Sequence, residues 1–235
     1  MMENKPSRYF KYAIGEIVLV VIGILIALQI NNWNQNRIQQ NNELKFLKGI
    51  QSEFKLNKDY LTNTSKLNNE ALKTGKVIMN LINQDIEKLK LSNTDSLIFK
   101  VFEYGGFEIS ENTVLEVMQV GQLQNLQNEK LKSLILEWSQ QKSRVNRTRE
   151  TLSRKSEYLI DYLMKRYPIK NIDKYGTLAW KNDSEIQVNK YSIFSDLEFE
   201  NIVDEYLYNL SSYQIRITRI HKVIDGILEN SNIKK

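Results

Sequence analysis

The hydrophobic positions of this chain form one continuous apolar run near the start and amphipathic stripes over the rest. Between positions 13 and 30, Glu16 is the only ionisable residue and Gln29 is the only other polar one. A helix of this length, at about 1.5 Å per residue, spans roughly 30 Å, which is the hydrocarbon thickness of a bilayer. A run that is apolar on every side fits lipid better than the core of the polar remainder. The pattern predicts a single transmembrane helix at residues 13–32.

The end of the apolar run favours an uncleaved signal anchor over a cleavable signal peptide. A cleavable signal has an apolar region of about 7 to 15 residues and ends in small residues at an A-x-A-like site. Here the run closes on the letters ALQIN, which lack that site. Three aromatic residues are predicted to anchor the helix at the membrane interfaces, namely Tyr9, Tyr12 and Trp33.

Charges on either side of the span indicate its orientation. The tail before it carries three basic residues against one acidic residue, and the first fifteen residues after it carry two against one. Because basic flanks stay in the cytoplasm, this bias favours a cytoplasmic tail at residues 1–12. Residues 33–235 would then form a helical domain outside the cytoplasm. The absence of cysteine suits either redox compartment.

Two stretches resemble a known family. The string KYAIGEIVLVVIGILIALQINNWNQ, at residues 11–35, resembles the N-terminal signature of a large uncharacterised family of single-pass membrane proteins from Gram-negative bacteria. A weaker likeness covers residues 113–131, where a short helical pattern stops at Gly121 and resumes through leucines. The resemblance implies a membrane anchor followed by a helical domain of unknown function. With the orientation above, the anchor would lie in the inner membrane and the domain in the periplasm. It implies no activity.

Three long stripes of apolar residues, spaced by three and four positions, predict long amphipathic helices. The first continues outward from the membrane segment to at least Leu61, because no helix-breaking residue follows the span. The second starts behind the cap residue Asn128, repeats at near-heptad coiled-coil spacing and stops before Pro168. The third follows a capping box of Ser195 and Glu198 and runs to the end of the chain.

Shorter elements complete the predicted fold. Cap residues at 93–95 precede one short helix, and Ser110 precedes another that ends at Gly121. Residues 168–194 form the least helical segment, with Trp180 as its packing anchor. Nine glycines and two prolines are few for 235 residues, which favours long helices. We predict an all-α chain, with one N-terminal transmembrane helix that continues into an elongated antiparallel helical bundle.

The inventory of reactive residues argues against catalysis. One histidine and no cysteine leave few ligands for a transition metal, and no Glu-x-x-His pair suits a di-iron bundle, although a carboxylate-only site stays open. His221 adjoins the apolar stripe of the last helix, which is typical of a structural histidine. No G-x-S-x-G motif or phosphate-loop glycine spacing occurs. We predict a protein that is not an enzyme and that uses no metal and no cofactor.

A basic run lies within the second long stripe, in a chain whose net charge is +5. Six basic residues and one acidic residue fall between positions 142 and 155. Arg144, Arg147 and Arg154 share nearly one helical face, which could contact phosphate or an acidic polymer. The alternative is a solvated face, because the apolar register continues through the run. Nucleic acid would require a cytosolic domain, against the predicted orientation, so it is not expected as a partner.

One face of the membrane helix carries a second candidate site. Glu16, Gly23 and Ala27 fall on that face. A small-x-x-x-small pair allows two helices to approach closely, and a carboxylate within the bilayer is costly and often functional. We predict a homodimer or partner-protein contact along this face. The alternative is that Glu16 reaches the lipid headgroups beside Lys11.

Two functional classes fit these features. The first is a membrane-anchored interaction or scaffold protein of the cell envelope, because long helices offer contact surface and no motif supplies catalysis. The second is an extracytoplasmic ligand-sensing module, because helical bundles bind small molecules between their helices. A sensor whose cytoplasmic part is residues 1–12 would need a partner membrane protein to carry its signal.

Overall fold

A computed structural model describes residues 6–119 and 121–232, and this part of the chain is all-α, as predicted. It contains seven α-helices and two short 3₁₀ turns, at Gln122–Asn125 and Ser192–Ser195, and it contains no strand. The helices are α1 (Pro6–Leu81), α2 (Ile86–Leu91), α3 (Thr94–Val101), α4 (Asn112–Gln119), α5 (Glu129–Arg166), α6 (Ile169–Asp173) and α7 (Leu197–Asn230).

Helix α1 is 76 residues long; it contains the whole apolar run and continues beyond it without a break to Leu81. Gly75 lies inside this helix at a close approach to α7, since a Cβ atom here would lie 2.1 Å from Cδ2 of Leu207. The chain divides into two compact units, one built on Met1–Gly49 and the other on Ile50–Asn232. In the first unit, the apolar part of α1 has exposed side chains. Its helix is long and apolar enough to cross a membrane, by length and composition.

Helices α5 and α7 of the second unit pair antiparallel along most of their length. Asn128, just before α5, donates from Nδ2 to the carbonyl oxygen of Asn230 at the end of α7, at 2.9 Å. At the other end of the pair, the hydroxyl of Tyr162 donates to Oδ2 of Asp196, just before α7, at 2.6 Å.

The part of α1 that belongs to the second unit also runs antiparallel to α7. Gln51 donates from Nε2 to the carbonyl oxygen of Leu228 at 2.7 Å. Past the other end of the helix, the N–H of Asn83 donates to the carbonyl oxygen of Phe194 at 2.7 Å. The three long helices therefore form the predicted antiparallel bundle.

The predicted apolar stripes supply the core of this bundle. Complete burial of one aliphatic or aromatic side chain stabilises the fold by about 1.5–3 kcal/mol. Beyond Leu61 the apolar spacing of α1 also predicts Val77 in the core, but Val77 is exposed and the adjacent Ile78 is buried in its place. The most deeply buried members include Ile50, Phe54, Leu61, Leu131, Ile135, Val145, Leu152, Tyr206, Leu210, Ile217, Ile220 and Ile224.

An extended segment, residues 103–111 (the strap), lies against buried polar side chains of α1. Asn57 donates from Nδ2 to the carbonyl oxygen of Ser110 and accepts on Oδ1 from its N–H, both at 2.8 Å. The carboxylate of Glu53 accepts from the hydroxyl of Ser110 and from the N–H of Thr113 in the first turn of α4. An acidic side chain of α1 therefore caps a helix that lies 60 residues away in sequence.

The middle of the strap is held in the same way. The N–H of Gly105 donates to Oδ1 of Asn68 at 3.0 Å, and Thr64 donates from its hydroxyl to the carbonyl oxygen of Gly106 at 3.1 Å. The hydroxyl of Tyr213 lies 3.2 Å and 3.0 Å from the carbonyl oxygens of Gly105 and Gly106. Side chains thus satisfy backbone groups that have no strand partner.

Most of the predicted helix ends are confirmed. Asn93 accepts from the N–H of Ser96, and Asn128 accepts from the N–H of Leu131, each at 3.0 Å. Gly121 follows α4 with φ of 68°, the left-handed conformation expected of a glycine beyond a helix end.

The predicted capping box before the last helix is wrong. Ser195 belongs to a 3₁₀ turn, and Asp196 is the N-cap of α7, where its Oδ1 accepts from the N–H of Glu198 at 2.8 Å. The pattern places the N-cap at Ser195, whereas the structure places it at Asp196. The helix therefore begins one residue later than the pattern indicates.

Residues 168–194 are a long segment with little helix, as predicted, since they hold only α6 and most of a 3₁₀ turn, but Trp180 does not anchor them. Its side chain is 47% exposed. The anchor is the buried Asp95 of α3, whose Oδ2 lies 2.8 Å from Nζ of Lys190 and whose Oδ1 accepts from the Tyr167 hydroxyl at 2.6 Å. Burial, together with the Asp95 carboxylate, raises the pKa of Tyr167 far above its ordinary value.

Candidate functional site

Helices α5 and α7 leave a shallow open groove along one flank of their pairing. Residues spaced by three and four along α5 lie on the same flank, which turns several polar side chains of the basic run toward α7. The groove, which we call the basic groove, has a volume of about 280 Å³. Its lining residues are Arg144, Arg147, Thr148 and Thr151 of α5, and Asn209 and Arg216 of α7.

The three arginines of the basic groove carry positive charge that nearby acids do not neutralise. Within the described residues, Arg144, Arg147 and Arg216 have no carboxylate oxygen within 4.0 Å, whereas neighbouring lysines do. Arg144 and Arg147 are three positions apart on one helix, so their side chains are neighbours. The groove therefore concentrates like charge where no described carboxylate lies within ion-pair distance of the three arginines.

The hydroxyl groups in the groove are already engaged as donors. Thr148 donates to the carbonyl oxygen of Arg144 at 2.9 Å, and Thr151 donates to that of Arg147 at 3.1 Å. Arg154 donates from Nη2 to the hydroxyl of Thr151 at 3.1 Å. An anion in the groove would consequently find its donors on the guanidinium groups.

The predicted basic face is brought together only in part. Arg144 and Arg147 line the groove, while Arg154 lies beside it and contacts it through Thr151. Arg216 was missed at the level of the sequence, although it stands seven positions after Asn209 and so shares its flank of α7. The pairing register of α5 and α7, which brings Arg216 to the basic run, is a tertiary property.

An ion pair between Lys155 and Glu205 lies beside one end of the basic groove, next to Asn209. Nζ of Lys155 lies 3.1 Å from Oε1 of Glu205, and Asn209 donates from Nδ2 to the carbonyl oxygen of Glu205 at 2.8 Å. The hydrogen bond from Lys155 holds the pKa of Glu205 below its ordinary value. Glu205, which accepts from the groove residue Asn209, is thus ionised and already paired with a lysine.

Beyond this pair, the same flank continues as a second, more apolar groove of about 460 Å³. Tyr158 and Leu197 form its rim and are 55% and 69% exposed, which is high for side chains of this size. We call it the apolar groove, and it is lined by Lys155, Tyr158, Leu197, Glu198, Asn201, Ile202 and Glu205.

The predicted membrane-helix face lies in the first unit. Gly23 and Ala27 are exposed, and a Cβ atom added to Gly23 would meet nothing within 4 Å. Glu16 is also exposed and lines a shallow depression with Ala13, Ile17, Val20 and Val21. The predicted face therefore lies open along α1.

Two of the three predicted interface aromatics are described. Tyr12 is 77% and Trp33 is 63% exposed, and the guanidinium carbon of Arg37 lies 5.3 Å from the Trp33 ring centroid. The side chain of Tyr9 lies outside the described residues. These exposures suit side chains that meet a membrane interface.

His221 is partly buried and sits among polar neighbours. Its Nε2 lies 3.1 Å from the hydroxyl of Thr62 and its Nδ1 lies 3.4 Å from Oδ2 of Asp225. The first contact joins α7 to α1 and the second lies within α7, so both are structural. In the part of the chain that the structure describes, no three His, Asp or Glu side chains converge to hold a metal ion.

Comparisons with known proteins relate only the first part of the chain to others. Residues 16–102 match the model of a family described as "Family of unknown function (DUF6090)". This segment holds most of the apolar run and continues through α3 to the residue before the strap. No curated protein and no solved structure matches the chain. What these residues resemble is thus an uncharacterised domain.

Proposed function

We propose that this protein is a membrane-anchored interaction protein of the Gram-negative cell envelope, without enzymatic activity. In this proposal, residues 13–32 cross the inner membrane with the N-terminus in the cytoplasm, and the helical domain lies in the periplasm. The observation that carries the interaction role is the exposed rim of the apolar groove on α5 and α7. The positive-inside bias and the resemblance of residues 11–35 support the placement.

The apolar groove has the composition of a docking surface. Tyr158 and Leu197 expose large apolar areas beside the ion pair of Lys155 and Glu205. Interfaces commonly surround aromatic and aliphatic anchors with a polar rim, and aromatic side chains often carry much of the binding energy. The partner that fits is another envelope protein that inserts an apolar side chain between Tyr158 and Leu197.

In-cell photo-crosslinking tests this docking surface. A photoreactive phenylalanine replaces Tyr158 in the full chain, and the control places it at Met164, which is 64% exposed on the same helix but does not line the groove. We expect a specific adduct from position 158 only. Leu197→Asp should abolish it, and the matched change Ile186→Asp, at another exposed apolar residue, should not. Equal adducts from both positions, or an adduct that survives Leu197→Asp, would contradict the proposal.

A pair of C-terminal reporter fusions tests the placement. Alkaline phosphatase is active only outside the cytoplasm, and a conventional fluorescent protein matures only inside it. We expect phosphatase activity without fluorescence. The reverse pattern would place the helical domain in the cytoplasm and remove the envelope from the proposal.

A ligand-sensing module is the second candidate, and the unneutralised basic groove is the observation that favours it. A sensor would take an anionic ligand between α5 and α7 and pass the signal to a partner membrane protein through the transmembrane helix. Ligand-dependent co-purification of such a transducer would favour sensing. A stable complex that forms without ligand would favour the interaction role.

A further inference from the structure

We propose that the basic groove is a binding site for a phosphate-bearing anion, held by the guanidinium groups of Arg144, Arg147 and Arg216. This inference is independent of the protein partner proposed above, because it concerns different lining residues. It rests on three features of the groove: convergence of charge from two helices, the lack of an internal counter-charge, and the geometry of the donors.

The first feature is convergence. Arg144 and Arg147 stand on α5, and Arg216 reaches the same groove from α7. Like charges that are neighbours on a helix are mutually destabilising, and bringing a third charge from another helix adds to the repulsion. A bound anion would attract each of the three guanidinium groups and so offset the repulsion between them.

The second feature is that the surrounding residues leave these charges unsatisfied. Among the described residues, the acid nearest in the bonding network is Glu205, which is paired with Lys155 at 3.1 Å. Asn209 donates its amide N–H groups to Glu205, and the threonine hydroxyls donate to the α5 backbone. The guanidinium groups are left as the free donors of the groove.

The third feature is donor geometry, which selects phosphate over a single carboxylate. Each guanidinium is a planar fork that can donate two parallel hydrogen bonds to one anion. The groove draws its forks from two helices, α5 and α7. The tetrahedral oxygens of a phosphate group can meet such forks together, whereas the two coplanar oxygens of a carboxylate meet one fork well.

Phosphate of this kind can come from a soluble phosphorylated compound or from the headgroup of a phospholipid. The groove is shallow and open, so binding should weaken steeply with added salt, as expected for solvent-exposed charges. Loss of one charge-assisted contact should weaken binding by about tenfold.

The test uses the full chain in nanodiscs of phosphatidylcholine at low ionic strength, with inorganic pyrophosphate titrated by calorimetry. The groove variant combines Arg144→Gln, Arg147→Gln and Arg216→Gln. The control variant removes the same charge elsewhere through Lys66→Gln, Arg149→Gln and Lys222→Gln, which are exposed and do not line the groove. Circular dichroism checks that both variants keep the helical fold.

We expect saturable binding by the native chain and by the control variant, and at least a hundredfold weaker binding by the groove variant. Arg147→Lys, which keeps the charge but loses the fork, should weaken binding by several-fold. A parallel titration with malonate should give weaker binding than pyrophosphate.

Vesicles of phosphatidylcholine with phosphatidic acid distinguish the two sources of phosphate. Binding to these vesicles without binding to pyrophosphate would assign the groove to a lipid headgroup. The proposal is overturned if neither probe binds, if both triple variants lose binding equally, or if malonate binds as tightly as pyrophosphate.

Discussion

At the scale of single residues, Gly105 in the strap is the described glycine that packs most closely against the backbone of another element. A Cβ atom there would lie 2.5 Å from Cα of Thr64, so the clash is with backbone. At the adjacent Gly106, a Cβ atom would meet only the hydroxyl of Tyr60, at 3.0 Å. The backbone of α1 cannot move aside as a flexible side chain can, so the two glycines should respond differently to the same methyl group.

We predict that Gly105→Ala lowers the free energy of unfolding by about 1–3 kcal/mol, because the strap must shift off α1 and lose its hydrogen bonds to Asn68 and Thr64. Gly106→Ala is the matched control and should stay within about 0.5 kcal/mol of the native chain. Urea unfolding of the full chain in detergent, followed by circular dichroism, measures both. Equal midpoints for the two variants would contradict the tight fit.

A second residue-scale prediction concerns Asp196, the N-cap of α7. The hydrogen bond from the Tyr162 hydroxyl, followed by that from the N–H of Glu198, holds the pKa of Asp196 below its ordinary value. Since the folded-state pKa is the lower one, this contribution to stability is present above the unfolded-state value of about 4 and is lost as the pH falls through the folded-state pKa.

Asp196→Asn should therefore lower the unfolding midpoint at pH 7 and should reduce the loss of stability as the pH falls below about 4. The matched control is Asp161→Asn, at an exposed acid on α5. Unfolding midpoints measured across this pH range decide the matter. An acid-induced loss in Asp196→Asn as steep as that of the native chain would show that Asp196 is not the group involved.

At the scale of elements, α5 buries one apolar stripe in the core and carries its basic residues on the adjacent, solvent-facing flank. Trp138 is 1% exposed on the core side, and its ring meets Phe54 of α1 edge to face with centroids 5.2 Å apart. Leu136 lies two positions earlier on the same helix and is 44% exposed. Comparing substitutions at these two positions separates the contribution of core packing to stability from that of helix propensity.

We predict that Trp138→Ala lowers the free energy of unfolding by about 3–5 kcal/mol, because it leaves a cavity among α1, α5 and α7. Leu136→Ala should change it by less than about 1 kcal/mol. Chemical unfolding of the full chain in detergent measures the pair. Similar midpoints for the two variants would show that the stripe does not face the core.

At the scale of the whole molecule, the exposed face of Glu16, Gly23 and Ala27 is the predicted contact between transmembrane helices. Glu16→Gln and Gly23→Leu should each reduce membrane crosslinking of a second copy or a partner, because one removes the carboxylate and the other blocks close approach. Ile24→Leu, one position away from the face, is the control. Unchanged crosslinking in both variants would contradict this contact and would favour the alternative, in which Glu16 reaches the lipid headgroups.

Much of the fold follows from the sequence alone because it depends on local and periodic properties. The apolar run of residues 13–30, the caps at Asn93 and Asn128 and the φ > 0 glycine at 121 are each decided within a few residues. The core stripes of α5 and α7 follow from the helical period, since burial of one face is what stabilises an amphipathic helix.

Features that depend on contacts between distant residues were decided by the tertiary structure. The Asn-rich tract of α1 looks like compositional bias in the sequence, yet Asn57 and Asn68 hold the strap through contacts 53 and 37 residues away. Arg216 enters the basic groove only because the antiparallel register of α5 and α7 places it there. Local pattern determines which residues form helices and which face they bury, and only packing decides which polar flanks meet and where their charges gather.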